Sequence, residues 1–161
     1  MKTTKAEILK LFIRHFQNEL DTLVRNAKTA HEDATHEEAQ AEDRHDTQAI
    51  EASYLAMGQA KRVYDLERTL EEFNGYLEQV RIVRKQITPG TLVTLQGNES
   101  PLITLFALTG GGQKVTIQGS TISITTPLSP LGQALEGAAV SEEIAYDAKN
   151  ETREYRILVL E

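Results

Sequence analysis

The strongest constraint on how this chain can fold is a pair of apolar stripes in its first 87 residues, a stretch with no proline and only two glycines, Gly58 and Gly75. From Thr3 to about Ala34, apolar residues recur at intervals of three and four: Leu9, Phe12, Phe16, Leu20, Leu23, Ala27, Ala30 and Ala34, widened by Ile8, Leu11 and Val24. That period places them on one face of a helix. A second stripe runs through Ala52, Ala56, Val63, Leu66, Leu70 and Phe73, with Leu77 and Val80 continuing the pattern. Neither helix can bury its stripe alone. Two helices of similar length joined by a short polar segment fold back antiparallel, each covering the other's stripe as in a coiled coil. Equal arms place the turn within residues 34–46. Asn74-Gly75 reads as an end for the second helix, with glycine as a left-handed cap, and Leu77 and Val80 argue for a later end.

After Thr88-Pro89-Gly90 the texture changes. Runs rich in β-branched residues alternate with turn residues, predicting strands at Thr91–Leu95, Leu102–Leu108, Lys114–Gln118, Thr121–Ile124, Val140–Tyr146 and Arg153–Leu160. Gly110-Gly111-Gly112 reads as a hairpin turn. One short helix fits Pro130–Leu135, with proline in its first turn and Gly137 just beyond its end. The class is therefore α+β: a helical hairpin over residues 1–87, then an antiparallel sheet with one packed helix over residues 88–161.

Charge narrows the function. The net charge is −7, and it is unevenly spread. Residues 1–30 carry +3, residues 31–46 carry −6, residues 47–87 balance, and residues 88–161 carry −4. There is no basic stripe of the kind that neutralises phosphates, so direct binding to free DNA is not expected. No apolar run is long enough for a membrane span, and the N-terminus has no signal-like apolar region. With no cysteine, thiolate metal sites and cysteine nucleophiles are excluded, in keeping with a cytoplasmic setting.

The acidic block runs from His31 to Thr47, where the hairpin must turn. Carboxylates three or four residues apart project from one side of a helical turn, giving the pairs Asp33 with Glu37, Glu38 with Glu42, and Asp43 with Asp46. Such a pair supplies too few ligands to hold Mg²⁺ alone. It can complete the shell of an ion already held by another protein. The plain alternative is a solvated, like-charged helix end. His31, His36 and His45 share the block, but no His-Glu-x-x-His occurs and a transition-metal site is not expected. His15 sits beside the first stripe. The triple glycine lacks the spacing of a phosphate loop. Residues 88–161 contain no histidine, which removes the usual general base, and no nucleophile, base and oxyanion site assemble anywhere in the chain.

Ile122-Ser123-Ile124 followed by Ser129-Pro130-Leu131-Gly132-Gln133-Ala134-Leu135-Glu136-Gly137 resembles the C-terminal signature of the bacterial Gre family of transcript cleavage factors, an I-S strand end leading into S-P-[IL]-G-x-A-L-x-G. Thr125-Thr126-Pro127-Leu128 separates the two parts by a few more residues than is usual. Gly90-Thr91-Leu92-Val93-Thr94-Leu95 and Glu154-Tyr155-Arg156-Ile157-Leu158 are similar to the family's first and last strands. With chain length and domain order, the resemblance spans essentially the whole chain.

The resemblance implies a coiled-coil hairpin, an FKBP-like C-terminal domain, and RNA polymerase as partner, met by a monomer. Ser129, Pro130, Leu131, Gly132, Ala134, Leu135 and Gly137 would form the docking signature. The hairpin would enter the polymerase's secondary channel, reach the RNA 3′ end only within the complex, and stimulate cleavage of backtracked RNA. The factor would bring no cofactor of its own. Its tip carboxylates would share the Mg²⁺ of the polymerase active site. The family's tip pattern, close to G-D-x-x-E-N-A-E-Y, is absent as a string. Ungapped counting places Asp43 and Asp46 at the catalytic D-x-x-E, with Glu42, Asp43 and Asp46 facing the metal. A gapped reading places Asp33 and Glu37 there instead. The altered tip leaves open a second role, a channel-binding regulator that does not promote cleavage and competes with Gre factors. A third reading, an FKBP-like prolyl isomerase or chaperone with a helical arm, meets few aromatics in residues 88–161: Phe106, Tyr146 and Tyr155.

Overall fold

The computed structural model describes residues 3–38, 45–98, 100–149 and 151–161, with side chains outside 31–38 and 45–52. Two long helices, α1 (Lys5–Glu38) and α2 (His45–Glu78), form an N-terminal hairpin. A six-stranded sheet follows: β1 (Thr91–Gln96), β2 (Leu102–Phe106), β3 (Lys114–Ile117), β4 (Ser120–Thr125), β5 (Glu143–Ala148) and β6 (Glu151–Leu160), with the short helix α3 (Pro130–Leu135) between β4 and β5. The chain divides into two compact units, Ile13–Glu71 and the paired segments Met1–Phe12 and Glu72–Glu161.

Helix α1 starts where Thr4 and Glu7 form a reciprocal capping box. The Glu7 carboxylate accepts the Thr4 main-chain N–H at 2.8 Å, and Thr4 Oγ1 accepts the Glu7 N–H at 3.3 Å. These bonds hold the Glu7 carboxyl below its usual range. Helix α2 runs through Asn74-Gly75 to Glu78, so the apolar pattern at Leu77 decides its end and Gly75 is not the cap.

Within Ile13–Glu71 the stripes are buried at Phe16, Leu66 and Leu70. Leu20, Leu23, Ala27 and Val63 are half-buried, whereas Val24, Ala30 and Ala56 are exposed. The expected continuous seam therefore thins, because its outer positions are largely alanine and have little area to remove from water. Arg62 pairs with Glu19 across the two helices.

In the other unit, Phe12 meets Phe73 edge-to-face at 5.9 Å, and Phe73 lies 5.6 Å from Tyr76. Ile8, Leu9, Phe12 and Phe73 are buried. The strand order is β3-β4-β2-β1-β6-β5. Alternation sends Val93, Leu95 and Phe106 to one face, where they form a core with Ile87, Leu135, Ala138, Ile144 and Ile157. Leu92, Leu105, Ile122 and Ile124 occupy the opposite face and are also buried.

Most pairings are antiparallel, as expected, but β2 and β4 are parallel, with Leu105 opposite Ile124. This changes the role of the triple glycine. Gly110-Gly111-Gly112 joins β2 to β3, and those strands are not neighbours, because β4 lies between them. It is a crossing connection rather than a hairpin turn. The tight hairpin is instead Gln118-Gly119, both at positive φ, 50° and 80°, between the paired residues Ile117 and Ser120. Val140, expected to open a strand, lies before β5, which starts at Glu143.

Candidate functional site

Two places carry the residues singled out from sequence. The first is the acidic turn of the hairpin. The backbone of Asp33 and Glu37 belongs to the last turns of α1, and that of Asp46 to the first turn of α2. Glu42 and Asp43 lie outside the described residues. At 1.5 Å per residue, the 34 residues of α1 carry the chain about 50 Å from Lys5 to Glu38. Among the described residues, no cluster of three or more His, Asp or Glu is arranged to hold a metal ion, and no helix is long and apolar enough to cross a membrane.

The second place is α3 and the cleft beside it. Each signature residue has a local physical task. Ser129 is the N-cap, with extended backbone at φ −93° and ψ 152°; its Oγ accepts the Gly132 N–H at 3.0 Å and donates to the Thr126 carbonyl at 2.9 Å. Pro130 occupies the first turn, where a missing N–H costs nothing. Gly132 lies against main chain: a Cβ there would stand 1.8 Å from the Thr126 carbonyl oxygen. Leu135 is fully buried in the core, with Ala134 and Leu131 packed against it. Gly137 follows the helix at φ +77°, and its N–H bonds the Ile87 carbonyl at 2.9 Å while Ile87 N–H returns to Ala138.

The signature thus builds one short helix and pins its end to residue 87. It also leaves an apolar surface. Leu128, in the segment that lengthens the motif, is 89% exposed, and Leu108 is 55% exposed. With Pro130, Leu131, the triple glycine and Tyr146 they line an open cleft of about 850 Å³, rimmed by Asp147 and Lys149. Tyr146 stacks on Tyr155 with ring centres 6.2 Å apart. Burial lifts its phenol above the usual range, Tyr155 adds to this, and Arg153 opposes it. Leucine, proline and glycine dominate its lining, with Asp147 and Lys149 as its charged groups.

Leu128 follows no period, Leu108 reads in the sequence only as the end of a strand, and two polar anchors give no local signal. Glu72 bridges α2 to the β2–β3 connection. Its carboxylate accepts the Leu108 N–H at 2.7 Å and the Thr109 hydroxyl at 2.6 Å, and also a bond from Tyr76. Lys5, only 4% exposed, donates to the Glu161 main-chain oxygen at 2.9 Å. Burial, then the nearby Arg84, pulls its pKa down to about 8, against the opposing pull of Glu161.

No protein-family model matches the chain, and no curated relative matches its sequence. Solved structures similar to it include the GreA factor homolog 1 (Gfh1) protein of Thermus thermophilus, at 17% identity and a TM-score of 0.38, covering 97% of this chain and 94% of that one. Thermus aquaticus Gfh1 is 18% identical, with a TM-score of 0.37 over 99% and 97% of the two chains. The prokaryotic transcription elongation factor GreA/GreB from Nitrosomonas europaea is 18% identical, with a TM-score of 0.36 over 63% of this chain and 92% of that one.

Proposed function

We propose that this chain is an accessory factor of RNA polymerase that docks through the cleft beside α3 and carries its helical hairpin into the secondary channel. The observation that carries this reading is the signature Ser129-Pro130-Leu131-Gly132, built as a capped helix beside an exposed apolar cleft, in a chain that also holds two 34-residue helices joined through an acidic segment. The hairpin's reach and charge suit a narrow basic channel ending at a metal centre. Carboxylates from Glu42, Asp43 and Asp46, or from Asp33 and Glu37, would add oxygen ligands to a Mg²⁺ that the polymerase holds, and that ion supplies the activation of water. The factor is not itself the enzyme. It strengthens a hydrolysis that the polymerase performs, and acts as a cytoplasmic monomer at working concentration.

A second reading, a channel regulator that does not promote cleavage, is favoured by one observation: the tip lacks the asparagine and tyrosine of G-D-x-x-E-N-A-E-Y. A single experiment separates the two. RNA cleavage is followed in a stalled, backtracked elongation complex at fixed Mg²⁺, with and without the protein, and binding is measured in parallel. Faster cleavage supports the first reading. Binding without acceleration supports the second. Absence of binding overturns both and leaves the signature as a fold determinant alone.

A further inference from the structure

Among the described residues, no element covers the outer face of α2 over residues 54–68. Tyr54 is 71% exposed, Met57 67% and Tyr64 57%. With Lys61 and Arg68 they follow helical spacing, 54, 57, 61, 64, 68. At about 100° per residue, this stripe is centred roughly 170° from buried Leu66, Leu70 and Phe73, so it points away from the hairpin's own seam. Scattered exposed apolar residues need no explanation, but an aromatic and methionine stripe at regular spacing does.

Gly58 lies beside this stripe, within the helix, and a Cβ there would meet nothing within 4 Å. A glycine inside a helix destabilises it by roughly a kcal/mol relative to alanine, and no contact among the described residues requires one here. A glycine at such a place lets another backbone approach closely.

We propose that this face is a weak, symmetric self-association surface, at which two copies of α2 pack antiparallel about a two-fold axis at Lys61. The stripe is self-complementary in that register. Met57 and Tyr64 lie four and three residues either side of Lys61, so each faces its counterpart on the second copy as a sulfur–aromatic pair. Tyr54 and Arg68 lie seven residues either side and meet as cation and ring. Arg68 already stands 5.9 Å over the Tyr64 ring in its own chain. Lys61 sits on the axis between its own Asp65 and the second copy's Asp65, which balances charge at the centre. Gly58 provides the close approach. The two tyrosines and the methionine expose roughly 350–400 Å² together, about half of what one partner contributes to a standard interface, so association is transient and micromolar at best. This inference does not depend on the polymerase reading.

Sedimentation velocity of the full chain from about 5 to about 500 µM covers the relevant affinity range. The expected result is a shift from the 17.9 kDa monomer toward twice that mass. Gly58→Ala should raise the Tm by a few degrees while weakening association at least tenfold, two changes of opposite sign that a general folding defect cannot produce. Met57→Asp should abolish association with the helix content intact. Because the chain has no cysteine, Lys61→Cys should form a disulfide dimer under mild oxidation, and Glu67→Cys, on another face, should not. A chain monomeric at the highest concentration overturns the proposal. So does an association unaffected by Gly58→Ala and Met57→Asp, or one that cross-links equally at both cysteines.

Discussion

The Glu72 carboxylate accepts the main-chain N–H of Leu108 at 2.7 Å, joining α2 to a connection 36 residues further along the chain. The same carboxylate takes the hydroxyls of Thr109 and Tyr76. Charge-assisted bonds of this kind are individually strong, and losing the shared acceptor breaks three of them at once. Glu72→Ala is expected to cost about 2–3 kcal/mol. Thermal unfolding should shift down by roughly 4–10 °C, and hydrogen exchange at the Leu108 amide should accelerate more than at core strand amides.

Two of the signature residues should differ sharply in tolerance. Gly132→Ala forces a Cβ into the Thr126 carbonyl, and that main chain cannot swing aside as a side chain would, so α3 must move or unfold. Ser129→Ala removes only the cap and should cost about 1 kcal/mol. Circular dichroism and thermal melts of the pair should show near-native folding for Ser129→Ala and a loss of several kcal/mol for Gly132→Ala.

Lys5 predicts an alkaline rise in stability. Its folded pKa of about 8 lies below the ordinary lysine value of 10.5. Below about 8 the lysine is charged in both states, and the cost of burying it is fully present. Between about 8 and 10.5 the unfolded chain binds more protons, so stability rises with pH. Tyr76 acts in the other direction. Burial and Glu72 push its phenol up, so above about 10 the unfolded chain releases its proton first and stability falls. Urea midpoints across pH 7–11 should therefore pass through a maximum near pH 10. Lys5→Met should abolish the rise, keep the fall, and stabilise the protein at pH 7 by about 1–3 kcal/mol, since the Glu161 oxygen keeps its bond from Leu92.

On the proposed function, docking and tip chemistry should separate. Leu128→Asp places a charge in the apolar cleft on a side chain already 89% exposed. It should weaken polymerase binding tenfold or more without altering the melt. Asp43→Asn with Asp46→Asn should leave binding within about threefold and remove any cleavage stimulation. Titration against a fluorescent elongation complex, with cleavage read in the same samples, checks both.

Periodicity made the helices and α3 legible, since Leu9-Phe12-Phe16 and Ser129-Pro130 with Gly137 are local signals. The strands were legible for the same reason, to within a few residues. What could not be read is non-local. Nothing near Gly110-Gly111-Gly112 reports that β4 will lie between the strands it joins. Glu72 resembles every other exposed helix acid until Leu108 is brought to it, and Lys5 looks like an ordinary first-turn lysine. Leu128, more exposed than Leu108 on the same cleft, shares no period with its neighbours. Ala30 and Ala56 lie on the stripes yet are exposed, because spacing marks a face but side-chain size sets how much that face can hide.

The parallel β2–β4 pair fixes an order of assembly during synthesis. β1 and β2 can zip together as soon as both have emerged, but the other edge of β2 waits for residues 122–125, nineteen positions after its own pairing residues. At typical translation speeds that is roughly one to four seconds. During that interval Ile103 and Leu105 lie on an open strand margin, and β3 reaches the scene before the strand that must be inserted ahead of it. The glycine-rich crossing at 110–112 is the slack that lets β3 stand aside until β4 arrives.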